Sequence, residues 1–253
     1  MNMKNRHKRV IREVIQIIVV LAIIFGAIYG ISSWYAKDNY TSSITVISPE
    51  SGINIYVDNE LKATTEGSGE ITISNLDSGS HTIITSDSEG SLIPWSKTVR
   101  VAKNASVTVK PFLLPYSFDS AIVPKDRAGY WNDLSLAQKI NLPTESMPIM
   151  SSDEKTSAWV EDSTVYVKDN TGDLTRKKVS YFEKEIKSVE FLPNRNDVIM
   201  VAVDNGVYAI ETDTNTPQNF QPIYIGIKPS FHLNRETKEL FIADNGNLLR
   251  IQL

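Results

Sequence analysis

The chain has 253 residues, 41% of them hydrophobic, and a formal net charge of −4 at pH 7. The absence of cysteine excludes disulfides, thiol catalysis, thiolate metal sites and lipid attachment to cysteine. Five basic residues lie among the first twelve, so the rest of the chain carries −9, and this acidic balance argues against a nucleic-acid partner.

An apolar segment near the N-terminus, residues 14–35, determines the predicted topology. From Val14 to Trp34 it has twenty-one successive uncharged residues, and a helix of that length spans roughly 31 Å, the thickness of a bilayer core. Because basic residues precede it, we predict a cytoplasmic head (residues 1–13), a single transmembrane helix in the cell membrane and extracellular C-terminal domains. A cleaved signal peptide is the alternative, but its apolar region is usually shorter and ends at small residues.

Residues 36–43 are a short polar tether, after which apolar and polar residues alternate. Alternation with a period of two predicts half-buried strands, and Gly, Pro and Asn turn sequences separate the runs. Residues 44–115 are therefore predicted to form a small antiparallel β-sandwich. The alternating runs are Ile44–Ile47, Ile53–Val57, Ile71–Ile73, Thr82–Ile84, Thr98–Val101 and Ser106–Lys110.

This segment resembles the PEGA domain, a small β-sandwich of surface-exposed prokaryotic proteins. Ile55–Asp58 is similar to the family's "VYVDG" strand, Leu76–Ile83 to its "L-P-x-G-x-H-x-I/V" pattern, and Pro94–Val99 to its later tryptophan strand. The sequence departs from the family at Thr64–Gly67, where the name-giving "T-P-…-G" turn is expected. The resemblance implies a spacer or a binding module and no particular chemistry.

Residues 116–150 are predicted to be a connector or a degenerate first unit of the domain that follows, with one short helix at Asp133–Ile140. From residue 151 a repeat begins, since Trp159, Met200 and Leu240 are 41 and 40 residues apart. Each of these residues belongs to a predicted strand that is followed by a tight turn and a second strand, and this pattern is typical of a hairpin.

The repeats of residues 151–253 resemble β-propeller blades, which have four strands in about 40–45 residues. A plain β-meander is the alternative. The turns Asp204–Gly206 and Asp244–Gly246 are predicted to supply left-handed φ angles rather than metal ligands. The predicted fold is therefore mainly β: a transmembrane helix, a PEGA-like sandwich, and a partial β-propeller-like repeat domain.

No catalytic, cofactor-binding or metal-ligating residue is assigned. His7, His81 and His232 lack zinc-site spacing, and His81 is interpreted as structural. Ser152–Lys155 has a bare Ser-x-x-Lys pattern without companion motifs. Asp169–Asp173 spaces oxygen ligands somewhat like a calcium loop, but it lacks the glutamate at position twelve, which favours a tight turn.

These features predict a single-pass, membrane-anchored cell-surface protein with a non-enzymatic binding or scaffold role in the cell envelope. Its expected partners are the lipid bilayer through residues 14–35, and a protein or envelope polymer or a second copy through the C-terminal β domain. The alternative is an accessory or sensor subunit of an envelope hydrolase or signalling complex. The 107 residues from Met147 to Leu253 are fewer than the roughly 160 of a closed ring, so we expect completion by another chain or a cover formed by Phe112–Met150.

Overall fold

The computed structural model describes residues 25–26 and 42–253, apart from 141, 173 and 216. The predicted cytoplasmic head, the tether up to residue 41 and all but two residues of the predicted transmembrane segment lie outside this description. Among the described residues, no helix is both long enough and apolar enough to span a membrane.

The described chain is mainly β, with nineteen strands and a nine-residue helix, α1, at Tyr130–Gln138. In chain order the strands are β1 Ser42–Ser48, β2 Ile53–Val57, β3 Glu60–Thr64, β4 Gly69–Leu76, β5 Gly79–Asp87, β6 Trp95–Val101, β7 Ser106–Val109, β8 Ser120–Ile122, β9 Ile149–Met150, β10 Thr156–Glu161, β11 Thr164–Asp169, β12 Lys177–Tyr181, β13 Ser188–Phe191, β14 Val198–Val203, β15 Gly206–Glu211, β16 Phe220–Ile225, β17 Ser230–Asn234, β18 Glu239–Asp244 and β19 Asn247–Gln252.

The strands form five sheets. Sheet I has the order β3-β2-β5-β6, and sheet II has the order β4-β1-β7. Sheets III, IV and V each have four strands, in the orders β9-β10-β11-β12, β13-β14-β15-β16 and β17-β18-β19-β8. Trp159, Met200 and Leu240, the residues that mark the sequence repeat, each lie on the second strand of one of these three sheets.

The chain divides into two compact units. The described part of the first unit comprises residues 42–45, 72–79 and 100–108, and the second comprises 46–71, 80–99 and 109–253. Within the first unit, the Ser42 hydroxyl donates a hydrogen bond to the Ala102 carbonyl and accepts one from the Asn104 N–H, both at 3.1 Å. The division crosses residues 44–115, since sheet I belongs to the same unit as sheets III to V.

Sheet I shows the alternation that its sequence predicts, because the residues of β2 are buried and half-buried in turn. Asp58 and Asn59 form the turn to β3 with φ values of 53° and 67°, which suits the right-handed twist of a two-residue hairpin. The Asp58 carboxylate then holds β5, accepting hydrogen bonds from the His81 ring at 2.7 Å and the Thr82 N–H at 2.9 Å. His81 is thus placed in a structural contact.

Residues 116–150 fold onto sheets III and V. Strand β8 pairs with β19, the last strand of the described chain, and β9 pairs with β10. The helix begins three residues earlier than the predicted Asp133 because Gly129, with φ of 85°, is its N-cap. Tyr130 and Ala137, two turns apart on one helix face, pack against Phe241, Ala243 and Leu248 of sheet V.

Sheet IV contains a fully buried strand, β14. All six residues of β14 are buried, as expected of a strand covered on both faces. An apolar cluster runs from Ala158, Val165 and Val167 of sheet III to residues of sheet IV such as Val201. Burial on both faces explains why β14 reads as an unbroken apolar run instead of an alternating one.

A buried polar network joins sheet I to sheet IV. The Lys97 ammonium donates to Glu211 Oε2 at 3.0 Å and lies 3.1 Å from Asp213 Oδ2, with Lys97 2% exposed. Asn219 completes the network by donating to Glu211 Oε2 and to the Ser96 carbonyl, both at 2.9 Å. Both charges are therefore paired and hydrogen-bonded, as burial in a low-dielectric interior requires.

Substituting Lys97 with methionine should lower the free energy of unfolding by about 3–5 kcal/mol, because Glu211 would remain buried without its ion partner. The double variant Lys97→Met/Glu211→Gln should lose less than the two single losses added together. Urea unfolding followed by tryptophan fluorescence measures both. The control is Glu60→Gln, which breaks the exposed Lys62–Glu60 pair and should cost under about 1 kcal/mol; equal losses for the buried and exposed pairs would contradict the network's role.

The hairpin between β14 and β15 differs from its prediction. Asn245 and Gly246 of the third hairpin have φ of 46° and 78°, but no residue of Asp204–Gly206 has a positive φ, so that prediction was wrong there. Gly206 is required for space instead, since an added Cβ would lie 2.5 Å from the Tyr224 carbonyl oxygen and 3.1 Å from the Tyr208 ring.

Gly206→Ala should destabilise the second unit by about 1–3 kcal/mol, because the new methyl group meets backbone that is fixed in the β15–β16 ladder. Gly67→Ala is the matched control, since nothing lies within 4 Å of its added Cβ, and it should change stability by less than about 0.5 kcal/mol. Thermal unfolding monitored by circular dichroism compares them. A Gly206→Ala variant as stable as Gly67→Ala would show that the crowding is relieved without cost.

Candidate functional site

The first strands of sheets III, IV and V, together with α1, enclose a cleft of about 280 Å³, called the central cleft below. Its lining combines apolar, basic, acidic and imidazole side chains. Leu136 and Lys139 come from the helix and its C-cap, Ile149 from β9, Lys187 to Glu190 from β13 and the residue before it, and Phe231 to Leu233 from β17.

Strand alternation decides which polar side chains reach the cleft. Glu190 is the half-buried residue between buried Val189 and Phe191, and His232 is the half-buried residue between buried Phe231 and Leu233. The two polar side chains therefore occupy corresponding places on the first strands of sheets IV and V. This gives the cleft an acid and an imidazole on neighbouring strands.

Arg235, in the bend that follows β17, ties the three first strands together. Its Nη2 atom donates to Glu190 Oε1 on β13 at 2.5 Å and to the Met150 carbonyl on β9 at 3.0 Å. The pair between Arg235 and Glu190 is charge-assisted, and such hydrogen bonds are among the stronger ones in proteins. A single side chain thus connects sheets III, IV and V at the cleft.

The four charged or titratable groups of the lining differ in whether the fold pairs them. Lys187 lies 3.5 Å from Asp204 Oδ1 and donates to the Lys228 carbonyl at 3.4 Å, while Glu190 is held by Arg235. In the part of the chain that the structure describes, no hydrogen bond or salt bridge reaches the His232 ring or the Lys139 ammonium. These two groups remain available to a ligand.

Two further open clefts, of about 540 and 400 Å³, flank Trp159 on sheet III. The indole is 2% exposed, and its Nε1 is buried without a hydrogen-bond partner in the described structure. Trp159 stacks on Tyr166 with ring centroids 5.9 Å apart, and the Arg176 guanidinium lies 4.6 Å from the Tyr166 ring centroid. Because the indole presents almost no surface, these clefts lack the accessible aromatic platform that stacking of a ligand would need.

The motifs considered in the sequence are placed apart from one another. Ser152 and Lys155 lie in the tight turn before β10, where Asp153 accepts hydrogen bonds from the Ser151 hydroxyl and the Lys155 N–H. The Asp169 carboxylate accepts hydrogen bonds from Thr171 and Gly172, forming a turn of the Asx type. Asp173 and His7 lie outside the described residues, and His232 is the sequence candidate that lines the central cleft.

The pKa of Asp58 follows from its contact with His81. Burial raises this pKa, but the hydrogen bonds from His81 and the Thr82 N–H, and the charges of His81 and Lys62, outweigh burial and hold it below the ordinary value of 3.8. Asp58 therefore stays ionised at neutral pH and serves as an anchor for β5. Among the described residues, no group of three or more His, Asp or Glu side chains could hold a metal ion.

Sequence reasoning missed Lys139, Lys187, Glu190 and Arg235 as members of one site. Arg235 stands in the Leu-Asn-Arg-Glu bend that marks a repeat boundary, so its position was visible but its partners were not. Those partners are 45 and 85 residues away in sequence. An arginine at a repeat boundary is the signal that could have directed attention to the preceding sheets.

Comparisons with known proteins give little guidance. No family model matches the chain, and no curated protein matches it. Among solved structures, one described as the crystal structure of the eukaryotic initiation factor is 14% identical, with a TM-score of 0.27, over 79% of this chain and 48% of that one. The chain thus spans about half the length of that protein, and a likeness this weak bears on neither fold nor function.

Asp244, which is buried, and the half-buried Tyr224 form a contact between β18 of sheet V and β16 of sheet IV. The Tyr224 hydroxyl donates to Asp244 Oδ2 at 2.8 Å, and the Ile227 N–H donates to the same oxygen at 3.0 Å. The other oxygen, Oδ1, is buried without a partner in the described structure. Burial, the hydrogen bond to Asp244 and the charge of that carboxylate raise the pKa of Tyr224 to about 12.

A folded-state pKa above the ordinary tyrosine value of 10.0 means that folding favours the neutral phenol. The resulting stabilisation should be complete below pH 10 and lost as the pH rises through about 12. Tyrosinate absorbance during an alkaline titration should show a late step that Tyr224→Phe reduces by one tyrosine, while circular dichroism verifies that the sheets persist. Tyr116→Phe, at an exposed position, is the control and should leave the late step intact; an unchanged late step in Tyr224→Phe would contradict the assignment.

Proposed function

We propose that this protein is a single-pass, membrane-anchored cell-surface protein with a non-enzymatic binding or scaffold role in the cell envelope. In this proposal residues 14–35 cross the membrane, residues 44–115 are a PEGA-like sandwich, and residues 151–253 are a partial β-propeller-like domain. The observation that carries the binding role is the central cleft, since three separate sheets contribute their first strands to it. Concave sites with a few convergent polar groups are where proteins bind small ligands.

The connection between sheet I and sheet IV supports the scaffold part of the proposal. Lys97, Glu211 and Asn219 are joined by hydrogen bonds of 2.9–3.0 Å. The Gln221 side chain accepts a hydrogen bond from the Leu114 N–H at 3.1 Å and donates one to the Phe112 carbonyl at 3.3 Å. The Lys97 network joins the two sheets directly, whereas Gln221 of β16 attaches the Phe112–Leu114 segment to sheet IV. A module built in this way would hold the cleft in a constant orientation to sheet I.

The topology can be tested in intact cells that express the full-length chain. Added protease should digest the wild-type protein beyond residue 41, because the basic residues before the apolar segment retain the head in the cytoplasm. A variant with Lys4, Arg6, Lys8, Arg9 and Arg12 replaced by asparagine should leave a substantial fraction of the chain protected. The control variant Lys4→Arg/Lys8→Arg keeps the charge and should behave as wild type.

A wild-type chain that is protected in intact cells and digested after lysis would contradict the proposed topology. The non-enzymatic role is tested separately with protease, esterase, glycosidase and phosphatase substrate panels on the purified full-length chain. Reproducible turnover that a single substitution abolishes would overturn it.

A further inference from the structure

The central cleft has positive charge that the fold does not neutralise. Its lining contains two lysines and one glutamate in addition to His232. Arg235 pairs with Glu190 and Asp204 pairs with Lys187, so the unpaired groups are Lys139 and His232. Beyond its first twelve residues the chain carries −9, and a cleft with a local excess of positive charge in an acidic protein would concentrate small anions at that place.

The cleft also has apolar walls. Leu136, Ile149, Val189, Phe231 and Leu233 make up half of the lining residues. Val189, Phe231 and Leu233 are buried and alternate along their strands with Glu190 and His232, so the apolar side chains open to a ligand are Leu136, which is 38% exposed, and the half-buried Ile149. A volume of about 280 Å³ lies just below the roughly 300–1,000 Å³ of ordinary small-molecule sites. The dimensions and the apolar walls suit an anion with a small hydrophobic body.

Lys139 limits the charge that such an anion can carry. Its ammonium is the one ammonium of the lining without a charged partner in the described residues, because Lys187 pairs with Asp204 and Glu190 pairs with Arg235. A second negative charge on the ligand would find no further unpaired ammonium and would lie near the Glu190 carboxylate, and like charges in a confined site are costly. A singly charged carboxylate fits this arrangement better than a phosphate dianion.

We propose that the central cleft binds a small organic monocarboxylate. The ligand carboxylate is bound by the Lys139 ammonium and the His232 imidazole, and its apolar body packs against Leu136 and Ile149. This inference rests on the binding role proposed above and names the ligand class for that site.

The test is ligand-observed fluorine NMR with 4-fluorobenzoate and the full-length chain in a neutral detergent, with 4-fluorobenzyl alcohol as the uncharged probe of similar shape. A ligand of about ten heavy atoms should bind with roughly millimolar affinity. Lys139→Gln and His232→Gln should each weaken binding roughly tenfold, because each removes a hydrogen bond to a charged group. Lys139→Arg should retain binding within about threefold, and Lys125→Gln, at an exposed lysine before α1, should equal wild type.

Binding of the benzoate with these losses, and no binding of the alcohol, would support the proposal. Equal binding of both probes, unchanged binding in Lys139→Gln and His232→Gln, or no binding would overturn it. Displacement of 4-fluorobenzoate by equimolar inorganic phosphate would also overturn it by assigning a different anion class. Absence of benzoate binding would not change the protease result on membrane topology. Conversely, if the protease result contradicts the proposed topology and the chain still binds benzoate, only the proposed membrane anchoring is refuted.

Discussion

The buried ion pair between Lys97 and Glu211 is the interaction on which the arrangement of the second unit depends. Their side chains are 3% and 8% exposed, so each charge loses most of its hydration. Such a pair adds little net stability relative to an apolar contact, but a misplaced partner leaves a buried charge uncompensated. The pair therefore contributes mainly to the specificity of packing. Sheets I and IV pack in the register that brings Lys97, Glu211 and Asn219 together, because another register would leave a buried charge without a partner.

Two arginines also connect segments that are distant in sequence. Arg195, in the bend after β13, donates to the carbonyls of Pro111 and Lys110, 84 and 85 residues earlier. Arg235, in the bend after β17, donates to the Met150 carbonyl, again 85 residues earlier. Both the arginines and their acceptors are offset by about one repeat. The bend after β13 therefore contacts residues 110–111 through its arginine as the bend after β17 contacts Met150.

Local patterns predicted the elements well. Alternation located β2, β5 and β6 of sheet I but missed β3, whose residues are mostly exposed. Asp162-Ser163 and Asn245-Gly246 adopt the left-handed φ values that tight hairpins require. The Asp204 hairpin does not follow this rule. Position 206 requires glycine because a Cβ would collide with the Tyr224 carbonyl oxygen, and not because of its backbone conformation. The local sequence predicts turn geometry, but it does not predict where a neighbouring strand will lie.

Contacts between distant elements could not be predicted in the same way. The Lys97–Glu211 pair links residues 114 apart, and the Asn219 side chain reaches Ser96 across 123 residues. Strand β8 was hidden in a segment assigned as a connector, since three exposed residues give no periodic signal. Ser120–Ile122 forms a strand because its backbone pairs with the backbone groups of β19 that no other strand uses.

The outermost strands of the described sheets explain why we place ligand binding in the cleft and not on a sheet edge. Strand β12 carries Lys177 and Lys178, both exposed, and β16 contains Pro222. Lysine and proline on an edge strand oppose the addition of a further strand, because one must be desolvated and the other lacks an N–H donor. In sheet V, β8 covers β19 and is itself an edge strand of three residues, and very short edge strands also oppose pairing. Strand addition is therefore disfavoured at these three edges, whereas Lys139 and His232 of the central cleft have no partner in the described residues and are accessible to a ligand.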